Sequence, residues 1–443
     1  MEKNSNVPVL RFPEFKNEWT KRKLRDLSSL ITKGTTPQKF VEVGINFIKL
    51  ECFQGDKIAI SKCLYIDEQT NNKELRRSIL EEGDILFAIA GATVGKSNIV
   101  TKEILPANTN QALAIIRLKE HENKLFVFHN LKSDKMQRYI IDNIAGGAQP
   151  NLNLEQMGNF AFSLPDPTEQ QKIATFLTSV DEKLQALKKK KSLLEEYKKG
   201  VMQRIFNYDS CDGGDLYDAA DDKNCEETSQ PSHKSKKSQF RQLSFRDENG
   251  EEFPDWEELR LRDVADRVIE KNKENNLNVL TISAQHGLIS QLEYFNKSVS
   301  AKDVTGYYLL HENDFAYNKS YSNGYPMGAI KRLKKYDKGV VSTLYICFRF
   351  KENVSNEFFE HYFEMGLQNV EIEQVAQEGI RNHGLLNVGV NDFFNINLHV
   401  PSFQEQTKIA FFLSAIDEKI NHCTKQIEKT SEWKKGLLQK MFC

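Results

Sequence analysis

No run of apolar residues in this 443-residue chain approaches the roughly 18 that a membrane span requires. The opening MEKNSNVPVLRFPEF has no signal-peptide core. A soluble, cytoplasmic protein without a membrane partner is expected. Cysteine is scarce: the seven (Cys52, Cys63, Cys211, Cys225, Cys347, Cys423, Cys443) form no CxxC pair and make an odd total. That argues against a zinc ribbon and a disulfide framework. Nor is one charge sign in excess, with 61 Lys and Arg against 62 Asp and Glu, a net of −1. Whole-molecule charge therefore selects no partner. Catalytic signatures are missing too. There is no HExxH, GxSxG, N-P-P-[YF] tetrad or cysteine–histidine zinc spacing, and the nine histidines are scattered. Nothing marks the chain as an enzyme or as a holder of metal.

What is present is enough apolar residue, 39%, for packed cores, and a length that fits two to four domains at roughly 100–200 residues each. The balanced charge conceals a local asymmetry. Residues 207–227 carry eight acidic side chains and one lysine, a net of −7, which leaves +6 on the remainder. Any nucleic-acid surface must then be a local patch. Residues 207–239 read as a disordered linker, acidic and then basic.

The chain is written twice. Glu18-Trp19 through Leu27 returns at Asp255-Trp256 through Val264, an offset of 237. Arg117-Leu118-Lys119-Glu120 returns at Arg349-Phe350-Lys351-Glu352, an offset of 232. Lys172–Leu184 returns at Lys408–Ile420, and Lys198–Gln203 at Lys434–Gln439, both at 236. The ends of each copy agree closely, whereas the interiors, about 30–150 and 268–385, barely agree. A duplicated frame carrying two different inserts explains this; neutral loop drift is the blander account.

Residues 168–206 predict one long helix, with apolar positions Ile173, Leu177, Val180, Leu184 and Leu187 at heptad spacing, then Leu194, Val201 and Ile205. Lys191 and Lys198 interrupt the seam. Residues 402–443 repeat it with Ile409, Leu413, Ile416, Ile420, Cys423 and Ile427, and with Thr430 and Lys434 as breaks. Neither helix can bury its seam alone, so the two are expected to pack together and to offer any remaining stripe to a partner. The interiors look α+β. Strands are expected at 47–50, 57–60, 85–89 and 112–116, with a helix over 124–144. The second copy predicts strands at 279–282, 314–317 and 340–346, with a helix near 356–378.

Several motifs invite over-reading. Ala90 through Ser97 (AGATVGKS) imitates a phosphate loop, but its first glycine, Gly91, stands one residue late; a turn between strands with Lys96 exposed is the expectation. Asp181-x-Lys183 and Asp417-x-Lys419 resemble half of a nuclease motif but sit mid-helix, where a solvated face is expected. The run Lys188–Lys191 reads as a solvated face, with phosphate contact as the other reading. Better candidates are polar interior loops whose side chains suit base edges: Lys33, Thr35 and Thr36; Lys96; Asn110 and Gln111; Lys319, Tyr321 and Asn323; Arg381, Asn382 and His383.

These features together resemble the specificity (S) subunit of type I restriction-modification systems. The resemblance rests on Leu10-Arg11-Phe12-Pro13-Glu14-Phe15 with Glu18-Trp19, echoed at Glu252-Phe253-Pro254-Asp255-Trp256. It rests also on Gly83-Asp84-Ile85-Leu86-Phe87 with Gly91–Lys96, echoed weakly at Asn313–Ala316. The third mark is Leu164-Pro165 with Glu169-Gln170 and Asp181, echoed at Val400-Pro401, Glu405-Gln406 and Asp417. The resemblance implies two target recognition domains (1–165 and 240–401), each followed by a spacer helix (166–206 and 402–443), the helices paired as an antiparallel coiled coil in a pseudo-twofold repeat. It implies recognition of a bipartite double-stranded DNA site. Two modification subunits would use S-adenosylmethionine to methylate adenine, and motor-nuclease restriction subunits would use ATP and Mg; this chain itself would bind no cofactor. The rival readings are a coiled-coil scaffold binding only protein and a single-strand or RNA binder.

Overall fold

The computed structural model describes residues 7–144, 151–206, 243–283, 287–295, 303–322, 324–376 and 386–443. The predicted linker at 207–239 lies outside them. The chain forms two compact units, Met1–Lys190 with Cys423–Cys443, and Lys191–His422. Each unit holds one α+β domain, the start of the long helix that follows it, and the distal end of the other long helix.

The first domain is built on a four-stranded antiparallel sheet. Its order is Ser28–Lys33, Leu113–Leu118, Ile85–Ala88, Ser97–Ile99. Apart from Arg117, the central strands are apolar on both faces and buried, as a sheet covered on two sides requires. A three-stranded sheet stands beside it, in which Ile45–Ile48 runs parallel to Ala107–Thr109 and antiparallel to Leu64–Ile66. Thr20–Lys23 pairs with Ala161–Leu164, joining the start of the repeat to the strand that feeds the long helix.

The second domain repeats this plan. Its sheet runs Ala265–Arg267, Ile346–Phe350, Phe315–Asn318, Ala329–Arg332, and Glu257–Arg260 pairs with Asn397–Val400. A parallel bridge, Val279 to Val340, stands where Phe47 pairs with Asn108 in the first. The interiors have thus diverged in sequence while the four-stranded sheet keeps its order; the smaller sheets beside it differ. An ion pair recurs as well: Asp84 with Arg117 at 2.7 Å and Asp314 with Arg349 at 2.6 Å, each bonded through two guanidinium nitrogens. The core of the second domain is aromatic, with Phe348 stacked on Phe315 and Phe359 on Phe350.

Both long helices form, Pro167–Phe206 and Phe403–Lys440, and they pack on each other in antiparallel sense. Three shorter expectations need correction. The strand predicted at 340–346 is the end of Lys338–Val341 and the start of Ile346–Phe350, parted by a turn at 343–344. The helix predicted over 124–144 is two, Lys124–Leu131 and Asp134–Ile144. Ser133 breaks it, its hydroxyl accepting from Met136 N as a new cap. The helix near 356–378 is likewise Asn356–Glu364 and Asn369–Val375, parted by a turn at 365–368.

The seam residues are also partly reassigned. Ile173, Leu177 and Val180 are buried in one core with Phe126 and Trp19 of the first domain, with Leu437 and Leu438 of the second long helix, and with Met441 and Phe442 just beyond its end. Ile409, Leu413 and Ile416 join Val201, Ile205 and Phe206 in the core of the second domain. Leu184 is buried, whereas Leu187, Ile420 and Ile427 are half-buried. Much of the stripe expected to await a partner is covered by the chain's own domains, because the first turns of each helix are buried in the core of the domain they follow.

Candidate nucleic-acid interface

The loops singled out in the first domain leave one end of its four-stranded sheet. Lys33 closes the outer strand and pairs with Ala114. Leu113 pairs with Ala88, and Ala88 N donates to Lys96 O at 2.8 Å. Lys33, Gln111 and Lys96 therefore rise from neighbouring strand ends, a span of about 14 Å for four strands. All three are exposed. Lys96 sits in the glycine turn joining two antiparallel strands.

Two of these loops are tied together. Thr35 N donates to Thr109 O at 3.2 Å, and Thr36 Oγ1 lies 2.5 Å from Gln111 Oε1. Gly34 touches the partner loop so closely that a Cβ there would fall 1.9 Å from Thr109 O. Asn110 is half-buried and its side chain accepts from Ala112 N, so it shapes the turn rather than offering a free edge. Arg77 was not singled out from sequence. It is exposed and donates to Thr35 Oγ1 at 3.2 Å, and Lys73 and Arg76 are exposed nearby in sequence. The signal was there, three basic residues within five positions.

In the second domain, Lys319 and Tyr321 follow the strand Phe315–Asn318, whose end is the repeat equivalent of Ala88. Lys319 is half-buried, its ammonium 3.5 Å from Val388 O, while Tyr321 is 62% exposed. Asn323, Arg381, Asn382 and His383 lie outside the described residues.

Each long helix is fastened to its domain by the residues of the repeated Glu-Gln pair. Glu169 is buried and bound to Arg11 at 2.7 Å; Glu405 is buried and accepts from Trp256 Nε1. Gln170 and Gln406 donate to Pro165 O and Pro401 O, each at 2.8 Å. These are helix anchors, not base readers.

Further along, Asp181 is not on a solvated face, a correction of the sequence reading. It is buried and lies 2.6 Å from the Lys434 ammonium of the other long helix. Lys434 also reaches Asp56 at 2.7 Å, and Asp56 reaches Lys132 at 2.6 Å. In the second unit Asp417 holds Lys198 at 2.6 Å. A histidine stands beside each aspartate, His129 at 4.0 Å and His361 at 3.9 Å. Among the described residues no group of three or more His, Cys, Asp or Glu could hold a metal ion, and no helix is long and apolar enough to cross a membrane.

Burial pushes His129 down to about 3 and His361 down to about 4, aided by the neighbouring lysines. Both imidazoles are therefore neutral in the folded chain. Below the ordinary histidine pKa of about 6.5 the unfolded chain binds protons that the native one refuses. Stability is then expected to fall as pH drops from about 6.5 towards 4, by up to two protons' worth of slope. Asp181, held above the usual carboxylate range by burial, works in the opposite sense just above pH 3.8. Thermal unfolding across pH 4–8 measures this, and a flat profile between 6.5 and 5 would contradict it.

Comparison with known proteins places this geometry. The family model described as type I restriction modification DNA specificity domain matches residues 16–196 and again 254–430. Two proteins of Methanocaldococcus jannaschii are similar. The type I restriction enzyme MjaVIII specificity subunit is 26% identical over 266 residues, 58% of this chain and 51% of that protein. The MjaIX specificity subunit is 26% identical over 192 residues, 40% of this chain and 41% of that protein. The aligned part of the chain spans about half the length of these relatives. In fold, the chain is similar to a type I restriction-modification S subunit from M. genitalium, with a TM-score of 0.56 at 14% identity over 99% of both chains.

Proposed function

This chain belongs to the type I restriction-modification DNA specificity family, whose domain it carries twice, and we propose that each copy reads one half of a split duplex DNA site. In this reading the chain is the non-catalytic specificity subunit. The paired helices set the number of base pairs between the half-sites and dock two modification subunits. Those partners carry S-adenosylmethionine and methylate adenine; restriction subunits supply the ATP- and Mg-dependent steps. Residues 1–165 and 240–401 are the reading domains and 166–206 and 402–443 the spacers.

The observation that carries the reading is that candidate loops leave the equivalent end of two sheets of equal strand order, exposed in the first copy and exposed at Tyr321 in the second. Lys33, Gln111 and Lys96 leave that end in one copy, Lys319 and Tyr321 in the other. Loops free to vary on a fixed sheet suit two unequal half-sites. Arg and Lys suit guanine, and Asn and Gln suit adenine, while further lysines meet phosphate.

The test is methylation mapping with the full chain and its partner subunits. Gln111→Ala or Lys33→Ala should relax the first half-site alone, by roughly 5- to 150-fold per lost base contact of about 1–3 kcal/mol. Tyr321→Ala should touch only the second. Relaxation of both halves together would defeat the assignment, and behaviour indifferent to DNA and to salt would favour a protein scaffold.

A further inference from the structure

Two of the lysines that interrupt the heptad seam, Lys198 and Lys434, are partners of the aspartates that imitate a nuclease motif. Asp181 and Asp417 are repeat equivalents, as are Lys198 and Lys434, each pair 236 residues apart. Each aspartate takes the lysine of the other helix, Asp181 with Lys434 and Asp417 with Lys198, both at 2.6 Å. The same antiparallel register therefore closes twice, once in each compact unit. The surroundings are partly dry: Asp181 is buried, and the side chains of Lys434 and Lys198 are 12% and 17% exposed.

An apolar seam tolerates sliding by a turn, since one leucine fits about as well as the next. A charged pair enclosed by that seam does not. Displaced by one turn, about 5.4 Å, each aspartate would lose the lysine opposite it; the loss is uncompensated at buried Asp181 and partly met by water at Asp417, whose side chain is 35% exposed. The neutral histidines, His129 and His361, come from helices of the reading domains, and Asp56 comes from a domain turn. Each pair thus ties helix register to the domain packed against it.

We infer that the Asp181–Lys434 and Asp417–Lys198 pairs are register locks, positioning residues that hold the helices at one offset and so allow one spacing between half-sites. The link to spacing rests on the function proposed above; the link to register does not.

The experiment uses the full chain with two readouts. The first is the distance between nitroxides placed at the exposed Glu182 and Glu432 by cysteine-independent chemistry, measured without DNA. The second is methylation mapping with the partner subunits. Replacing both pairs by apolar ones, K198M with D417L and K434M with D181L, should leave the chain folded, since apolar residues of similar volume can replace such pairs. It should broaden the distance distribution by about one helical turn. It should also raise methylation at sites whose spacer differs by one or two base pairs at least about 10-fold, one turn spanning about 1.6 steps of 3.4 Å. K198D alone should act in the same direction, and adding D417K should restore both readouts. A distribution as narrow as that of the unaltered chain overturns the lock. A broadened distribution with unchanged spacing overturns its positioning role. If the unaltered chain and its partners methylate no split site, the proposed function fails, while the distance measurement still judges the lock.

Discussion

Arg117→Met is expected to cost the first unit about 3–5 kcal/mol, the penalty for stranding a buried charge. Asp84 is 1% exposed and accepts from two guanidinium nitrogens of Arg117 at 2.8 and 2.7 Å. Without them it keeps the Glu81 amide, at 2.8 Å, which cannot neutralise it. Lysine should not rescue, because a point charge does not reproduce the planar two-bond fork. Amide hydrogen exchange over Leu113–Leu118 measures the effect locally. The repeat supplies its own comparison in Arg349→Met, which strands Asp314 in the same way. Arg349 is 52% exposed against 23% for Arg117, so its pair is better screened and the loss should be smaller. A change below about 1 kcal/mol at Arg117 would contradict the argument.

Gly34→Ala should abolish recognition by the first reading domain while sparing the second. A Cβ at this position would lie 1.9 Å from Thr109 O and 2.6 Å from Asn110 O, both backbone atoms of the facing loop. No rotamer relieves such an overlap, so the loops must part, at a cost of about 1–3 kcal/mol or more. Parting them breaks the Thr35 N to Thr109 O bond and separates Thr36 from Gln111. The contrast is Gly91, where nothing lies within 4 Å. Methylation mapping should show the first half-site lost, with sites defined by the second half still bound. Wild-type specificity in this variant would remove both loops from the reading surface.

Much of the frame was legible because it is periodic or repeated. The spacing of Ile173, Leu177 and Val180 announces a long helix whatever surrounds it, and the 236-residue offset of Lys172–Leu184 announces a second. What the helices bury was not legible: a heptad stripe looks the same whether another helix or a sheet covers it, and here both do. Glu169 and Glu405 were visible as motif residues, but their work as anchors depends on Arg11 and Trp256, more than 140 positions away in the chain. Asp181 and Lys434 show the same gap. One looked like half of a nuclease motif and the other like a break in the seam, and only the fold makes one the reason for the other. The candidate loops were chosen by composition alone, which is why Arg77, lodged in a helical turn, escaped notice while the turn-forming Asn110 did not.

The first domain's core is closed by Leu437, Leu438, Met441 and Phe442. A ribosome that has finished residues 7–190 has released a domain with a bare apolar flank, and it must add the whole second domain before the covering side chains emerge. A premature stop late in the message would therefore damage the part of the protein made earliest.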